Sequence, residues 1–264
     1  MHPMLNIAIR AVRKGGNFVI QNYDTYNFFQ DSIEKKQNIV QDIMYKTNKI
    51  ISDIISKSYP HHVILNKNIY TPMKKNENIY WIVNELDGQY NFLKNFPHFC
   101  VSIAIVIKNI TEISVIYDPI RNDLFTSVKG QGTQLNGRRI RCTNINGLES
   151  TTAAVNLPHY LKHSSFAYFE IYKILILSGI SFLCTGSTVL DLAYVAAGRI
   201  DCLFDFNLHS GSFVAGKLQA REAGCLISNL KGGHESITDH SSNIISSPKC
   251  IRLVMEKIRE YCRA

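Results

Sequence analysis

The chain has 264 residues, 45% of them hydrophobic, and carries a formal net charge of +8 at neutral pH. This length is sufficient for a large buried core in one compact unit or in two closely joined halves. No apolar run approaches the roughly 20 residues that span a bilayer, and the first residues lack the zones of a signal peptide. We therefore expect a cytoplasmic protein without a membrane partner.

The basic charge and the cysteines constrain the partners and the compartment only loosely. A basic surface favours acidic partners such as nucleic acid or an acidic protein. An AT-biased genome produces the same excess of lysine, so both explanations stay open. The cysteines show no CxxC spacing and are predicted to be mostly buried free thiols in a reducing compartment. They are Cys100, Cys142, Cys184, Cys202, Cys225, Cys250 and Cys262.

Two helices followed by short strands are predicted for the first half, residues 1–147. Apolar residues at helical spacing predict one helix from Leu5 to Tyr23 and a second over residues 38–58. Runs rich in β-branched residues, divided by turn residues, indicate a meander of antiparallel strands. The strands of the meander are predicted at residues 99–108, 112–117 and 124–128, and two short buried strands are predicted before them at residues 62–65 and 80–83.

The second half, residues 148–264, alternates between the two kinds of pattern. Strands are predicted at residues 152–156, 180–183, 202–206 and 225–228. Helices are predicted at residues 165–177, 187–198, 212–222 and 248–261. Such alternation is typical of an α/β arrangement, and no linker separates the halves, so we expect one compact structural unit.

The segment 81–92 is the most informative part of the chain. It reads W-I-V-N-E-L-D-G-Q-Y-N-F, a strand that leads into a tight polar turn. This segment resembles the motif W-[IV]-[IV]-D-P-[LI]-D-G-T-T-N-F of the inositol monophosphatase family. Residues 186–201 and 221–224 resemble two later motifs of the family, in the same order and spacing. Residues 1–8 and 117–125 are most similar to the bacterial SuhB branch of this family.

The resemblance implies a fold and an activity. The fold is α/β (α+β), a layered α-β-α-β-α sandwich with a metal site between an antiparallel-sheet half and an α/β half. The activity is hydrolysis of inositol-1-phosphate by a water molecule activated on Mg²⁺. Because Mg²⁺ prefers near-octahedral oxygen ligands, this chemistry needs clustered carboxylates.

Most ligand positions of the family carry non-acidic residues in this chain. The first ligand glutamate falls on Lys67, the first aspartate of the turn motif on Asn84, and a third carboxylate on Ser212. The aspartate that supports the second ion falls on Met44. Loss of these ligands, and repulsion of cations by Lys67, lead us to predict that no cofactor is bound. Mg²⁺ is implied only if the family activity survives.

Some positions still match the family's metal site or substrate pocket. Asp87 and the backbone carbonyl of Leu86 are remnants of the metal site, although an Asp-Gly turn is also useful without a metal. Capping of a helix alone explains Gly186-Ser187, and Asp205 can be interpreted as a surface acid. The remnants of the substrate pocket are Leu86, Asp87, Gly88, Gln89, Gly186, Ser187 and Asp205.

Two charged residues near these positions affect whether a metal ion can be bound. Lys67 is expected either to pair with Asp87 or to be a solvated loop lysine. Glu85 is a candidate substitute ligand, but alternate residues of a strand face opposite sides, which argues against it.

Three functions follow from these observations, in decreasing order of support. The SuhB resemblance implies a non-catalytic Nus factor of the ribosomal RNA transcription antitermination complex. Its implied partners are NusA and RNA polymerase, with the rRNA leader and a second copy of the chain as further candidates. The alternative is a Mg²⁺-dependent inositol-1-phosphate phosphatase. A free-standing RNA-binding protein ranks last.

Overall fold

The computed structural model describes residues 2–25, 32–66, 79–156, 166–205, 213–229 and 243–263. The described residues form two compact units. Unit 1 contains the residues before Ile140 together with Gly186–Leu190 and Phe213–Gln219, and unit 2 contains the remainder. No helix within these ranges combines the length and the apolar character that a membrane span requires. The predicted boundary after residue 147 stays a prediction.

Two long helices open unit 1. Helix α1 spans Pro3–Thr25 and confirms the first predicted helix. Helix α2 spans Ile33–Ser58 and begins before the predicted start at residue 38. The earlier start has a local cause, because the side chain of Ser32 accepts a hydrogen bond from the backbone N–H of Lys35 at 3.3 Å and caps the first turn. Both helices contribute apolar side chains to the core of unit 1.

Unit 1 also contains a seven-stranded sheet in the order β1-β2-β3-β4-β5-β6-β7. Its strands are β1 (Val63–Asn66), β2 (Ile79–Asp87), β3 (Cys100–Ile107), β4 (Ile110–Asp118), β5 (Asp123–Val128), β6 (Gly132–Leu135) and β7 (Arg138–Ile140). Strands β2 to β6 pair antiparallel in chain order, which confirms the predicted meander. Strand β1 runs parallel to β2 at the edge of the sheet, a direction that the sequence pattern leaves open. A short apolar run does not reveal its direction, because direction depends on the connection and not on the side-chain pattern.

A short helix, α3 (Gln89–Leu93), follows β2 and is absent from the sequence prediction. Its Phe92 is fully buried and packs against Phe99 and Tyr23, with ring centroids 5.3 Å and 5.5 Å away. Aromatic pairs of this kind contribute roughly 1 kcal/mol beyond the burial of their surface. The aromatic cluster therefore anchors the chain just after the turn at Asp87.

Unit 2 contains a five-stranded sheet in the order β11-β12-β10-β8-β9. Its strands are β8 (Thr152–Asn156), β9 (Ser181–Leu183), β10 (Cys202–Asp205), β11 (Leu226–Asn229) and β12 (Asn243–Ser246). Strands β8, β9 and β10 are parallel, and β12 is antiparallel to β10 and β11. Unit 2 also contains the helices α4 (Phe166–Leu177) and α7 (Pro248–Arg263). Helix α5 (Thr188–Ala196) begins in unit 1 and continues in unit 2 from Asp191, and α6 (Phe213–Glu222) belongs to unit 1 up to Gln219. This alternation confirms the predicted α/β arrangement. The sequence prediction misses β12, and it also misses β6 and β7 of unit 1.

Candidate functional site at Asp87

A β-bulge at the end of β2 brings two polar side chains together. Asn84 pairs with Ser102 of β3, whereas Asp87 pairs with Cys100, so β2 contains one extra residue between the two pairs. The bulge interrupts the alternation of the strand, and the side chains at positions 84 and 87 therefore meet. The Nδ2 of Asn84 donates to the Oδ1 of Asp87 at 3.2 Å. Glu85 is buried, and its exclusion as a substitute ligand stays a prediction.

The carboxylate of Asp87 also caps the N-terminus of α5. Its Oδ2 accepts a hydrogen bond from the Oγ of Ser187 at 2.7 Å and from the backbone N–H of Val189 at 3.1 Å. A negative charge at this end of a helix is stabilised by the helix dipole and by the unpaired backbone N–H groups. With Asn84 on Oδ1, both oxygens of Asp87 accept hydrogen bonds. The predicted capping at Gly186-Ser187 thus depends on a carboxylate from β2.

Two glycines hold the backbone on either side of this contact. Gly88 has a φ of 87°, and a Cβ there would lie 2.7 Å from the carbonyl oxygen of His98. Gly186 has a φ of 80°, and its Cβ would lie 2.8 Å from Oδ1 of Asn91. Asn91 in turn donates from Nδ2 to the same His98 carbonyl at 2.6 Å. The positive φ and the close contact explain the glycine after Asp87, and Asn91 is a positioning residue that sequence reasoning missed.

The orientation of the Asn84 amide decides what the site can bind. Asn84 is 1% exposed, and its buried Oδ1 has no hydrogen-bond partner among the residues that the structure describes. The opposite orientation would place two oxygens 3.2 Å apart with no proton between them. The amide of Asn84 therefore directs its hydrogens at the carboxylate of Asp87. These hydrogens carry partial positive charge and interact with the carboxylate as a cation would. Mg²⁺ needs several oxygens directed at one point, and the described residues around Asp87 do not fit it.

The other predicted site residues have different surroundings. Met44 lies on α2 and packs, half-buried, against the apolar core of unit 1. Leu86 is fully buried within the bulge, and Gln89 is the half-buried first residue of α3. Lys67 and Ser212 lie outside the described residues, so the pairing of Lys67 with Asp87 stays a prediction.

Asp205 lies in unit 2 and is not a surface acid. It ends β10, is 0% exposed, and accepts a hydrogen bond from Nδ2 of Asn156 at 2.9 Å. The register places Asp205 beside Asn156 of β8 and Asn243 of β12, and Asn243 beside Asn229 of β11. Four polar residues thus share one edge of the sheet. The surface interpretation is wrong because the last residue of a strand can still be covered by its neighbours in the sheet.

Comparison with known proteins gives consistent matches along the whole chain. The model of the inositol monophosphatase family matches residues 1–262. The Nus factor SuhB of Buchnera aphidicola subsp. Schizaphis graminum is 63% identical over 267 residues, which cover 98% of each chain. The Nus factor SuhB of Escherichia coli K12 is 40% identical over 261 residues, which cover 98% of this chain and 97% of that one.

Solved structures extend these matches to the fold. The extragenic suppressor protein SuhB of Bartonella henselae superposes with a TM-score of 0.82 and 28% identity, covering 98% of this chain and 100% of that chain. The inositol monophosphatase of Anabaena sp. PCC 7120 gives a TM-score of 0.79 at 22% identity, covering 97% and 95%. The predicted fold class is confirmed by these neighbours.

Proposed function

Because the chain belongs to the inositol monophosphatase family and resembles proteins named Nus factor SuhB, we propose that it is a non-catalytic Nus factor. In this role it binds proteins of the ribosomal RNA transcription antitermination complex and supports rRNA synthesis and maturation. The fold supplies the binding surface, and the former metal cleft serves only to keep the chain folded.

One contact carries the non-catalytic part of the proposal. Asn84 donates to Asp87 where the family has two carboxylates that share a metal ion. The remaining oxygen of Asp87 accepts from Ser187 and Val189. A cation would have to displace the amide hydrogens of Asn84 in order to reach the carboxylate of Asp87.

The sequence supports the same conclusion at the other ligand positions. Lys67 and Ser212 bring an amine and a hydroxyl where the family has carboxylates, and Met44 has joined the apolar core. An ammonium about 4 Å from a monovalent charge of the same sign costs about 4 kcal/mol at an effective dielectric constant near 20. Few oxygen donors are left to compensate for such repulsion.

Enzymatic and metal-binding assays test this proposal together. We expect no Mg²⁺-dependent release of phosphate from inositol-1-phosphate, and no saturable binding of Mn²⁺ by titration calorimetry. The inositol monophosphatase of Anabaena serves as the positive control. Turnover that requires Mg²⁺ and disappears in Asp87→Ala would instead establish the alternative, a phosphatase, which the family match over residues 1–262 favours.

The partners are tested by binding in solution. NusA and RNA polymerase are the proposed partners, and the rRNA leader is a further candidate. The net charge of +8 supports an electrostatic contribution, so we expect a complex with NusA at low salt that weakens as salt rises. Absence of that complex at low salt would contradict the proposal. Binding of RNA alone with a steep salt dependence would indicate a free-standing RNA-binding protein.

A further inference from the structure

Two pairs of cysteines lie in hydrogen-bonding contact within unit 2. Cys142 contacts Cys225, and Cys202 contacts Cys250, through their thiol groups. All four are free thiols. The members of each pair are far apart in sequence, so the contacts are products of the tertiary structure. Nothing in the proposed function uses them.

The backbone holds Cys142 against the junction between α6 and β11. The N–H of Cys142 donates to the carbonyl oxygen of Ala223 at 3.1 Å. The Sγ of Cys142 lies 3.8 Å from the point where a Cβ on Gly224 would be, and Gly224 has a φ of 98°. The thiol of Cys142 therefore lies against a glycine, next to Cys225. Close approach of two thiols is the first requirement for an S–S bond.

The two members of this pair differ in access to solvent. Cys142 is half-buried and follows the exposed Arg141, whereas Cys225 is only 3% exposed. An external reagent can therefore reach Cys142 first, and Cys225 lies behind it. A partly exposed cysteine near a basic residue, backed by a second thiol, is the usual arrangement of a redox-active pair.

The pKa values of the two thiols support the same order, in which Cys142 reacts before Cys225. The hydrogen bond from Cys225, more than the charge of Arg141, lowers the pKa of Cys142 to about 7, although burial acts against the shift. The same hydrogen bond and burial raise the pKa of Cys225. Cys142 is thus the member that exists as a thiolate near neutral pH, and the thiolate is the nucleophile.

We propose that Cys142 and Cys225 form a redox-active dithiol that low-molecular-weight disulfides convert into an intramolecular disulfide. The Cys142 thiolate attacks one sulfur of the disulfide RSSR, forms a mixed disulfide and releases RS⁻. The thiol of Cys225 then loses its proton to solvent and attacks the Sγ of Cys142, which expels the second RS⁻. In sum the protein dithiol loses two electrons and two protons, and RSSR becomes two RSH.

The second pair provides a control within the same molecule. Cys202 and Cys250 are both 0% exposed. They lie in thiol contact like the first pair, but a disulfide reagent cannot reach them while the protein stays folded. If the first pair forms a disulfide and the second does not, the cause is the access of the reagent to Cys142, because the thiols are in contact in both pairs.

Oxidised glutathione and mass spectrometry test the proposal. The full-length chain is incubated with oxidised glutathione, blocked with iodoacetamide and digested with trypsin. A Cys184→Ser background removes an exposed thiol that would otherwise react. We expect a disulfide between the peptides Cys142–Lys162 and Glu222–Lys231, at least tenfold more abundant than a link between Ile200–Lys217 and Cys250–Arg252.

Single substitutions distinguish the first step, the attack of Cys142 on the disulfide reagent, from the second step, the attack of Cys225 on the mixed disulfide. In Cys225→Ser we expect glutathione to stay attached to Cys142, and in Cys142→Ser we expect Cys225 to remain unmodified. Wild-type protein that keeps glutathione on Cys142 without the link would overturn the proposal. So would equal linkage of Cys202 to Cys250, or no modification of Cys142. These readouts on wild-type protein stay decisive even if one variant folds poorly.

Discussion

Asp87 and Asp205 both end a strand, yet the chain uses the two carboxylates differently. Asp87 is half-buried and accepts hydrogen bonds from an amide, a hydroxyl and a helix N-terminus. Asp205 is fully buried at a sheet edge whose neighbouring strands contribute Asn156 and Asn243. The first carboxylate links separate segments of unit 1, whereas the second belongs to a polar row within one sheet.

The hydrogen bonds of Asp87 give this carboxylate a structural role that does not depend on a metal ion. Removal of Asp87 would leave the donors on Ser187, Val189 and Asn84 without their acceptor, which is costly in a partly buried site. Its retention therefore has a sufficient structural explanation. This explanation makes predictions that differ between the two carboxylates.

The largest expected effect comes from Asp87→Ala. The substitution removes three hydrogen bonds and the charge at the N-terminus of α5, and we expect a loss of about 3 kcal/mol in the free energy of unfolding. Urea denaturation at neutral pH measures it. The loss should be the same with and without Mg²⁺. A loss below about 0.5 kcal/mol would show that the carboxylate is not the cap.

A smaller effect is expected from Asn84→Asp. Two carboxylates would then face each other without an amide proton between them, and we expect a loss of about 2 kcal/mol at pH 7. Protonation of one carboxyl relieves the repulsion, so this variant should approach wild-type stability as pH falls toward 4. The swapped variant Asn84→Asp/Asp87→Asn is the matched control, because it keeps one acid and one amide. Equal losses for the single and swapped variants would contradict a charge effect.

The smallest effect is expected from Asp205→Asn. The new amide oxygen can still accept the hydrogen bond from Asn156, and the substitution removes a buried charge. We expect a change below about 1 kcal/mol in the free energy of unfolding, measured by the same denaturation. Asp205→Ala controls for loss of the side chain. A loss for Asp205→Asn as large as that for Asp87→Ala would remove the distinction between the two sites.

Much of the fold can be predicted from the pattern of apolar residues in the sequence alone. The helix from Leu5 to Tyr23, the meander and the α/β alternation were predicted, because each depends on periodic burial within one segment. The predicted start of α2 is too late, because the capping residue Ser32 precedes the apolar residues that recur at helical spacing. The sequence analysis does not predict the polar row at Asp205, although the sequence contains a signal for it. Strands β8, β11 and β12 each carry an asparagine at that edge of the sheet.

The sequence by itself determined the family, because residue identity and order along the chain suffice for it. The replacement of acidic ligands at Lys67, Asn84 and Ser212 is a prediction from the same order of residues. Tertiary structure alone decided the partners of the groups that remain. The cap on α5 and the contact of Cys142 with Cys225 join segments far apart in the chain, and the bulge in β2 depends on its register with β3. Contacts of this kind depend on register and packing, and local sequence does not encode them.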